Sequence, residues 1–562
     1  MEAAGRCAVL CCLVLLLAGL SAGEEDGRPL VSTPYGKLRG KTVTVKGTDR
    51  RVHSFYAIPF AKPPVGPLRF AATGPPEPWE SVREATEQPP MCLQSIQAME
   101  LLIHLVNAKI AIPPTSEDCL YLNVFTPADR GQDAKLPVMV FIHGGGLSMG
   151  GAMMFQGSAL SAHENVVTVS IQYRLGIPGF YSTGDSRAPG NYGFLDQVEA
   201  LHWVQKNIKA FGGDPNLVTI FGHSAGGLSV SALVLSPLTK GLVHRAIAEA
   251  GVALMPGLVA TSSQELVFIQ KVIANVSGCD EATLLDCLKG KSEEELRTLI
   301  GVLAFVTPPA AIDGVFFPKP AEQILADKEN NPVPFMTGIA EQEYGWILPM
   351  AMNISGMREG MDRETFPTLL ENIPFLGMFR GLIPLLVEEY IGEESDPAKV
   401  RNGFVELCGD FIFVMPALKT AKYHRDSGNP VYFYEFQRRP VFFKDLKPDF
   451  VKADHGDELF FMVGGPFLNE AGLLFTGESN EEEAVLSKAV MKYWANFART
   501  GDPNSPGLVH WPQYDKDEDY LQIDIHPRAA QILKGRKYEF WTKTIPEKMQ
   551  KLSEEAQERS EL

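Results

Sequence analysis

The chain has 562 residues, of which 45% are hydrophobic, and its formal net charge is −17 at pH 7. This charge argues against nucleic acids and anionic membrane surfaces as partners. The length could form several domains, but no Pro-, Gly- or Ser-rich linker, charge block or repeat divides the chain. We therefore expect residues 24–562 to form one large α/β domain with long insertions.

The first 23 residues have the pattern of a secretory signal peptide. Arg6 supplies a positive charge, residues 7–17 form an apolar run, and residues 21–23 are small enough for cleavage. The run is too short to cross a bilayer, and no later stretch reaches the length of an apolar membrane span. A buried N-terminal helix or an uncleaved anchor is the alternative. The pattern predicts a protein of a secretory compartment that has no integral membrane segment.

Five cysteines follow the predicted cleavage site. Cys92, Cys119, Cys279 and Cys287 allow three pairings, of which spacing favours the local ones, Cys92 with Cys119 and Cys279 with Cys287. Cys408 is left over, and we interpret it as a small buried hydrophobic residue rather than a reactive thiol. No cysteine or histidine cluster has the spacing of metal ligands, so we expect neither a metal nor a cofactor.

Short apolar segments, separated by helical or loop segments, predict parallel strands joined by crossovers. They are residues 138–142, 166–171, 245–250, 335–339 and 431–436. Residues 191–211 carry apolar side chains at helical spacing and end at two glycines, which predicts an amphipathic helix packed on the sheet. The fold class that we predict is α/β, with a large, mostly parallel central sheet and helices on both of its faces.

Residues 211–237 have the pattern of a strand, a sharp turn and a helix. Residues 217–221 are apolar or β-branched, and the pentapeptide Gly-His-Ser-Ala-Gly follows at 222–226. Glycines two positions before and two after a serine are what a strained strand-to-helix turn needs to expose the hydroxyl. Residues 225–236 predict the helix, which a proline ends. Ser224 is therefore the candidate nucleophile.

The sequence around this turn, FGGDPNLVTIFGHSAG, resembles the nucleophile signature of the type-B carboxylesterases. Residues 117–123, EDCLYLN, resemble the second signature of that family, and the similarity covers nearly the whole chain after residue 30. The resemblance implies an α/β-hydrolase fold and a Ser-Glu-His triad. It also implies the disulfides Cys92–Cys119 and Cys279–Cys287.

A candidate oxyanion pocket follows the predicted strand 138–142. The segment His143-Gly144-Gly145-Gly146 leaves consecutive backbone N–H groups without side chains to shield them, so these groups can converge on a developing negative charge. A flexible turn is the alternative. The resemblance implies that Gly145 and Gly146, together with Ala225, supply the donors.

The candidate base is one of eleven histidines. A base is expected in a loop after the last strands, and His455 in the segment ADHGDEL matches the H-G-D-E-L segment of the family. His424, His510 and His526 lie among charged or prolyl residues, and we predict that they are ordinary surface histidines.

The candidate acid follows the predicted strand 335–339. The segment GIAEQEYGW resembles G-x-x-x-x-E-F-G-W of the family, in which Glu343 is the matching acid, and Ala340 and Tyr344 are mild departures. Glu341 is the rival, and otherwise a solvated neighbour. The resemblance thus implies that neutral His455 activates Ser224 while Glu343 orients the imidazole, so the rate should fall on the acid side.

Three features bear on the substrate. Many relatives have Glu where this chain has His223, and we hypothesise that His223 lowers activity on cationic substrates, with a tolerated variant that points into packing as the alternative. Residues 93–118 contain no aromatic residue, which argues against choline esters as preferred substrates. Five methionines between residues 350 and 378 predict either an adaptable apolar pocket or ordinary core filling.

Signals of the secretory pathway occur in the middle and at the end of the sequence. Asn275 and Asn353 begin Asn-X-Ser triplets and are predicted acceptors of N-glycans. Residues 559–562, RSEL, match a K-D-E-L-type retrieval signal in their last two positions. We expect the protein to reside in the endoplasmic reticulum lumen, with secretion as the alternative. A retrieval receptor is the expected partner of the tail.

Three functions are compatible with these features. The first is a serine carboxylesterase that hydrolyses esters of xenobiotics and lipids, and the second is a fatty acyl-CoA thioester hydrolase with the same triad. The third is a non-catalytic binding protein of the neuroligin kind, against which the complete triad argues. Small-molecule esters or thioesters are the expected partners in the first two.

Overall fold

The computed structural model describes residues 27–561, except residues 109, 132, 305 and 470–476. The predicted signal peptide therefore lies outside the described residues, and the side chains of the tail 559–562 do so too. The strands in the described part are β1 Leu30–Thr33, β2 Gly36–Arg39, β3 Lys41–Thr44, β4 Arg51–Pro59, β5 Arg83–Glu84, β6 Met91–Cys92, β7 Thr115–Ser116, β8 Tyr121–Pro127, β9 Leu136–Ile142, β10 Val167–Ile171, β11 Gly213–His223, β12 Arg245–Glu249, β13 Phe335–Ala340, β14 Val431–Phe436, β15 Asp519–Ile523 and β16 Arg528–Gln531.

Helices fill most of the segments between these strands. They are α1 Ile96–Leu105, α2 Ser158–Glu164, α3 Gly176–Phe180, α4 Tyr192–Asn207, α5 Ala225–Leu235, α6 Ser263–Ser277, α7 Leu284–Gly290, α8 Glu293–Val302, α9 Ala321–Ala326, α10 Ile347–Ala351, α11 Phe366–Asn372, α12 Ile383–Tyr390, α13 Pro397–Gly409, α14 Met415–Asp426, α15 Asp457–Met462, α16 Glu481–Thr500, α17 Gly535–Glu539 and α18 Ile545–Glu561. A π-helical turn at Asp410–Val414 joins α13 to α14.

Eleven of the described strands form one sheet, in the order β16-β15-β14-β13-β12-β11-β9-β10-β8-β4-β3. The strands from β15 to β10 run parallel to their neighbours, whereas β8, β4 and β3 at one edge and β16 at the other are antiparallel. The mostly parallel sheet predicted from the sequence is therefore present. The carboxyl ends of the parallel strands lie side by side along one side of the sheet. Ligand sites form at this side in open α/β sheets.

The sheet separates two parts of the hydrophobic core. Val138, Val140 and Ile142 of β9 lie in one cluster, and Met139 and Phe141 lie in the other, because alternate side chains of a strand point to opposite faces. Helices α4 and α5 cover the first face, while α2 and α16 cover the second. Every residue of α5 is buried, as is expected of a helix that is apolar on all sides.

Both expected disulfides are present in the structure, Cys92–Cys119 and Cys279–Cys287. Cys408 is free and buried in α13, and burial raises the pKa of its thiol well above the ordinary value. Within the residues that the structure describes, no helix is both long and apolar enough to span a bilayer.

The prediction that His424 lies on the surface is wrong. Its side chain on α14 is fully buried, and its ring stacks on that of Phe335 with centroids 4.1 Å apart. Burial lowers its pKa to about 3, so the neutral ring packs like an aromatic residue. The charged residues around it in sequence occupy other faces of the helix. His510 and His526 are exposed, as expected.

Candidate active site

Candidate site segments follow three parallel strands of the sheet. His143 follows β9, Ser224 follows β11 and Glu341 follows β13. Since the carboxyl ends of parallel strands lie at the same edge of the sheet, residues far apart in sequence come close together here. His455 arrives from the long segment after β14, and the backbone N–H of Gln342 donates to the carbonyl of Ala453 over 2.9 Å.

Ser224 occupies a strained turn between β11 and α5. Its φ is 59° and its ψ is −125°, a conformation that costs a residue with a side chain about 1 to 3 kcal/mol. The flanking glycines are needed because the end of β9 passes so near. A Cβ on Gly222 would lie 2.4 Å from the carbonyl oxygen of Ile142, and one on Gly226 would lie 2.0 Å from it.

The glycine segment after β9 lies against this turn. A Cβ on Gly144 would be 3.2 Å from the Cβ of Ser224, and Gly145 and Gly146 have φ values of 104° and 61°. Tyr173 fixes the start of the segment, because its hydroxyl donates to the carbonyl of His143 over 2.8 Å.

Three backbone donors near Ser224 are unused. Among the residues that the structure describes, none accepts a hydrogen bond from the backbone N–H of Gly145, Gly146 or Ala225. Such N–H groups can stabilise an oxyanion.

His455 and Glu343 form a buried pair. The Nδ1 of His455 lies 2.6 Å from Oε2 of Glu343, while Oε1 of Glu343 accepts from the backbone N–H of Ala340 over 2.6 Å. Both side chains are almost fully buried. The carboxylate is thus fixed at both oxygens, and its position holds the imidazole with Nδ1 toward the acid.

Two rings lie against His455. The centroid of the His223 ring is 4.4 Å away, and that of Phe413 in the π-helical turn is 4.7 Å away. His223 directly precedes Ser224, so this contact brings the imidazole of His455 beside the strained turn. The structure therefore gathers Ser224, Glu343, His455 and the glycine segment at one place.

His223 points into packing. Its side chain is buried, and its Nε2 lies 3.4 Å from Oε1 of Glu458. Burial, together with the neighbouring His455, holds the pKa of His223 well below its ordinary value. Burial and the charges of Glu343 and Glu249 raise the pKa of Glu458 well above its ordinary value. His223 is therefore neutral near neutral pH and places no positive charge beside His455.

Glu249, at the end of β12, is a second buried acid near the turn. Its backbone carbonyl accepts from the N–H of Ser224 over 2.8 Å, and its Oε1 accepts from the indole N–H of Trp494 over 2.9 Å. Burial raises the pKa of the Glu249 carboxyl to about 8, although the Trp494 hydrogen bond lowers it. The folded chain thus binds a proton here at neutral pH.

Replacing Glu249 with glutamine is expected to weaken the pH dependence of stability. Between the ordinary value of 4.5 and the raised value of about 8, the folded chain binds a proton that the unfolded chain lacks. As the pH rises over this interval, the free energy of unfolding therefore falls by about 1.4 kcal/mol for each pH unit. The glutamine variant should lack this fall. Urea unfolding at about pH 5 and pH 8 measures the difference. The exposed-site control Glu359→Gln should keep the wild-type dependence, and equal dependence in Glu249→Gln would contradict the expectation.

The rival acid Glu341 has a different environment. It forms an ion pair with Lys452 at the surface, and the carboxylate that accepts the hydrogen bond of His455 belongs to Glu343 instead. The five methionines of residues 350–378 do not share one environment either. Met357 and Met361 are buried in the core, whereas Met352 and Met378 are exposed.

A hydrophobic cluster joins the first disulfide loop to the segment after the acid. Val106, Ile347 and Phe443 form its buried centre, and partly buried residues of α1 pack against it. It contains no aromatic residue from the loop 93–118, in line with the sequence. Asn275 and Asn353 are both exposed, as N-glycan acceptors must be.

Sequence reasoning missed several buried polar groups around His455. Lys447, Asp454, Asp457 and Glu458 are all buried, yet in sequence they resemble a solvated charged loop. One signal was present, because the two aspartates flank the candidate base at −1 and +2. Among the described residues, no group of three or more His, Cys, Asp or Glu side chains is arranged to hold a metal ion.

A mostly parallel sheet with a serine at a strained strand-to-helix turn is the architecture of an α/β-hydrolase. The model of the carboxylesterase family matches residues 27–541. The chain is 48% identical to pyrethroid hydrolase Ces2e of Rattus norvegicus, over 98% of this chain and 95% of that protein. It is 48% identical to the fatty acyl-CoA hydrolase precursor, medium chain, of Anas platyrhynchos, over 94% and 95%. It is also 46% identical to cocaine esterase of Homo sapiens, over 99% of each. The chain therefore belongs to the carboxylesterase family and is a carboxylic ester hydrolase.

Proposed function

We propose that the protein hydrolyses esters through a triad of Ser224, His455 and Glu343, with an acyl-enzyme on Ser224. His455 takes the proton of the Ser224 hydroxyl as that oxygen attacks the ester carbonyl. Glu343 keeps the imidazole in the required tautomer and stabilises the imidazolium that forms. The observation that carries the proposal is the 2.6 Å contact between His455 Nδ1 and Glu343 Oε2, beside the strained turn of Ser224.

The N–H groups of Gly145, Gly146 and Ala225 hold the oxyanion of the tetrahedral intermediate. Each donor contributes roughly 3 kcal/mol to stabilisation of the transition state. His455 then gives its proton to the leaving alcohol. Water attacks the acyl group on Ser224 by the same route, with His455 again as base, and releases the acid.

Labelling with an organophosphate tests the proposal. A reactive phosphonate should modify the wild-type chain once and abolish its esterase activity, because its phosphorus is attacked by an activated serine. Ser224→Ala should remain unlabelled, and a matched variant of a buried serine on the following helix, Ser231→Ala, should be labelled as the wild type is. Full labelling of Ser224→Ala would refute the assignment.

The substrates are esters of xenobiotics and lipids with apolar groups. The lack of aromatic residues in the loop 93–118 supports this, since that loop offers no aromatic face to a quaternary ammonium group. The relatives named pyrethroid hydrolase and cocaine esterase support it too. A second candidate is hydrolysis of fatty acyl-CoA thioesters, which the relative named fatty acyl-CoA hydrolase favours. Rates on matched esters and acyl-CoA chain lengths distinguish the two.

The domain organisation and location are also proposals. Residues 1–23 are a signal peptide, and residues 24–562 form one hydrolase domain that acts in the endoplasmic reticulum lumen, with secretion as the alternative. Asn275 and Asn353 carry N-glycans, which their exposure supports. The tail 559–562 binds a retrieval receptor, and removal of these four residues should shift the protein from cells to medium if it does.

A further inference from the structure

A cluster of three buried charges lies directly beside the proposed base. The Nζ of Lys447 is 2.7 Å from Oδ1 of Asp457 and 3.2 Å from Oδ2 of Asp454, and none of the three side chains is exposed. The ammonium also lies 4.0 Å from the centre of the Phe443 ring. Buried charges are costly unless they are paired. Even when they are paired, apolar side chains of similar volume in their place often give a folded state that is equally stable. Stability alone therefore gives no clear reason for this cluster.

Asp454 connects the loop of the base to the loop of the acid. Its Oδ1 accepts from the backbone N–H of Trp346 over 3.1 Å, and its Oδ2 accepts from that of Ile347 over 3.0 Å. These residues come three and four positions after Glu343. Asp457, two residues after His455, is linked back to Asp454, because its Oδ2 accepts from the backbone N–H of Asp454 over 2.9 Å. The two aspartates thus fix the backbone on both sides of His455.

The segment that supplies Lys447 is itself held in place. The guanidinium of Arg439 donates to the carbonyls of Pro448 over 2.8 Å, Val451 over 3.1 Å and Lys447 over 2.5 Å. The backbone that carries the Lys447 ammonium is therefore held in a fixed position. Without the ammonium of Lys447, the carboxylates of Asp454 and Asp457 would be buried close together with no positive charge between them. Burial and the charge of Asp454 already raise the pKa of Asp457 to about 6, even though Lys447 lowers it.

We propose that Lys447, bound between Asp454 and Asp457, is a positioning residue that fixes the His455 loop against the loop that carries Glu343. The inference rests on the proposed triad, since it concerns the alignment of two of its members. Displacement of a catalytic group by about 1 Å can lower the rate about 100-fold. Loss of the ammonium should therefore lower kcat, and KM should change little, because the misaligned groups act in the chemical step.

The test compares Lys447→Met with Lys452→Met. Lys452 joins the same two loops through its ion pair with Glu341, but at the surface, so its variant is the matched control. Folded sites are counted by titration with a phosphonate, and kcat is expressed for each titrated serine. We expect kcat to fall roughly 10- to 100-fold in Lys447→Met with KM within about twofold, and to stay within about twofold of the wild type in Lys452→Met.

A purely structural role would lower the melting temperature and the number of titrated sites but leave kcat for each site unchanged, and that result would overturn the inference. If Lys447→Met does not fold, the triple variant Lys447→Met, Asp454→Asn, Asp457→Asn removes all three charges and keeps one acceptor oxygen at each aspartate position for a backbone donor. The same fall in kcat is then expected, and an unchanged value overturns the inference. Failure of the triad itself would show separately, because the wild-type chain would not be labelled at Ser224.

Discussion

Replacing His455 with glutamine should lower kcat for ester hydrolysis by about a millionfold, because loss of the base alone removes nearly the whole contribution of a triad. Glutamine retains a polar side chain of similar size but cannot accept and return a proton. KM should change far less than kcat. Steady-state rates on a neutral ester, with the folded fraction checked by circular dichroism, measure the effect.

The matched control for this variant is His526→Gln. His526 is exposed and lies in the loop between β15 and β16, so its replacement should leave kcat within about twofold of the wild type. A His455→Gln enzyme that kept more than about one hundredth of the wild-type kcat would contradict the role of His455 as base.

Replacing Glu343 with glutamine should lower kcat by about 10⁴-fold while the protein stays folded. Oε1 of Glu343 accepts from the backbone N–H of Ala340, so the amide oxygen of glutamine should take this position. Its NH₂ group would then face Nδ1 of His455 and favour the wrong tautomer of the imidazole. The fall in rate would thus arise from orientation and protonation, with little change in volume.

Glu341→Gln separates the acid from its rival. This substitution breaks only the surface ion pair with Lys452, which contributes little to stability, and kcat should stay within about twofold. The assignment of the acid would be reversed if Glu341→Gln lost activity and Glu343→Gln kept it. Both variants use the same assay and the same substitution, so the comparison depends on position alone.

Six of the seven parallel strands that the large sheet has in the described part were predictable, because they are buried on both faces and therefore appear as continuous apolar runs, whereas β15, DYLQI, was not predicted. The run 431–436 matches β14 in both bounds, and the run 138–142 differs from β9 only at its start. The antiparallel strands toward the two ends of the sheet were not predicted. Strand β4, RVHSFYAIP, lies between β8 and β3 and mixes charged, polar and apolar residues, so no simple period marks it.

Some residues of the candidate site could also be found from the sequence, whereas others could not. Ser224 could be found from local geometry, because the glycines around it are imposed by the approach of β9, and the resemblance supplied Glu343 and His455. The contact of His223 with Glu458 and the burial of Lys447 could not be found from the sequence. A lysine or glutamate in a charged loop is usually solvated, and only the path of the chain decides otherwise.

The backbone contact between Gly226 and the end of β9 has a consequence for redesign of substrate preference. This contact sets the spacing between the serine and the glycine segment through main-chain atoms that no surface substitution alters. A library aimed at new leaving groups should therefore leave the junction of β9 and α5 untouched.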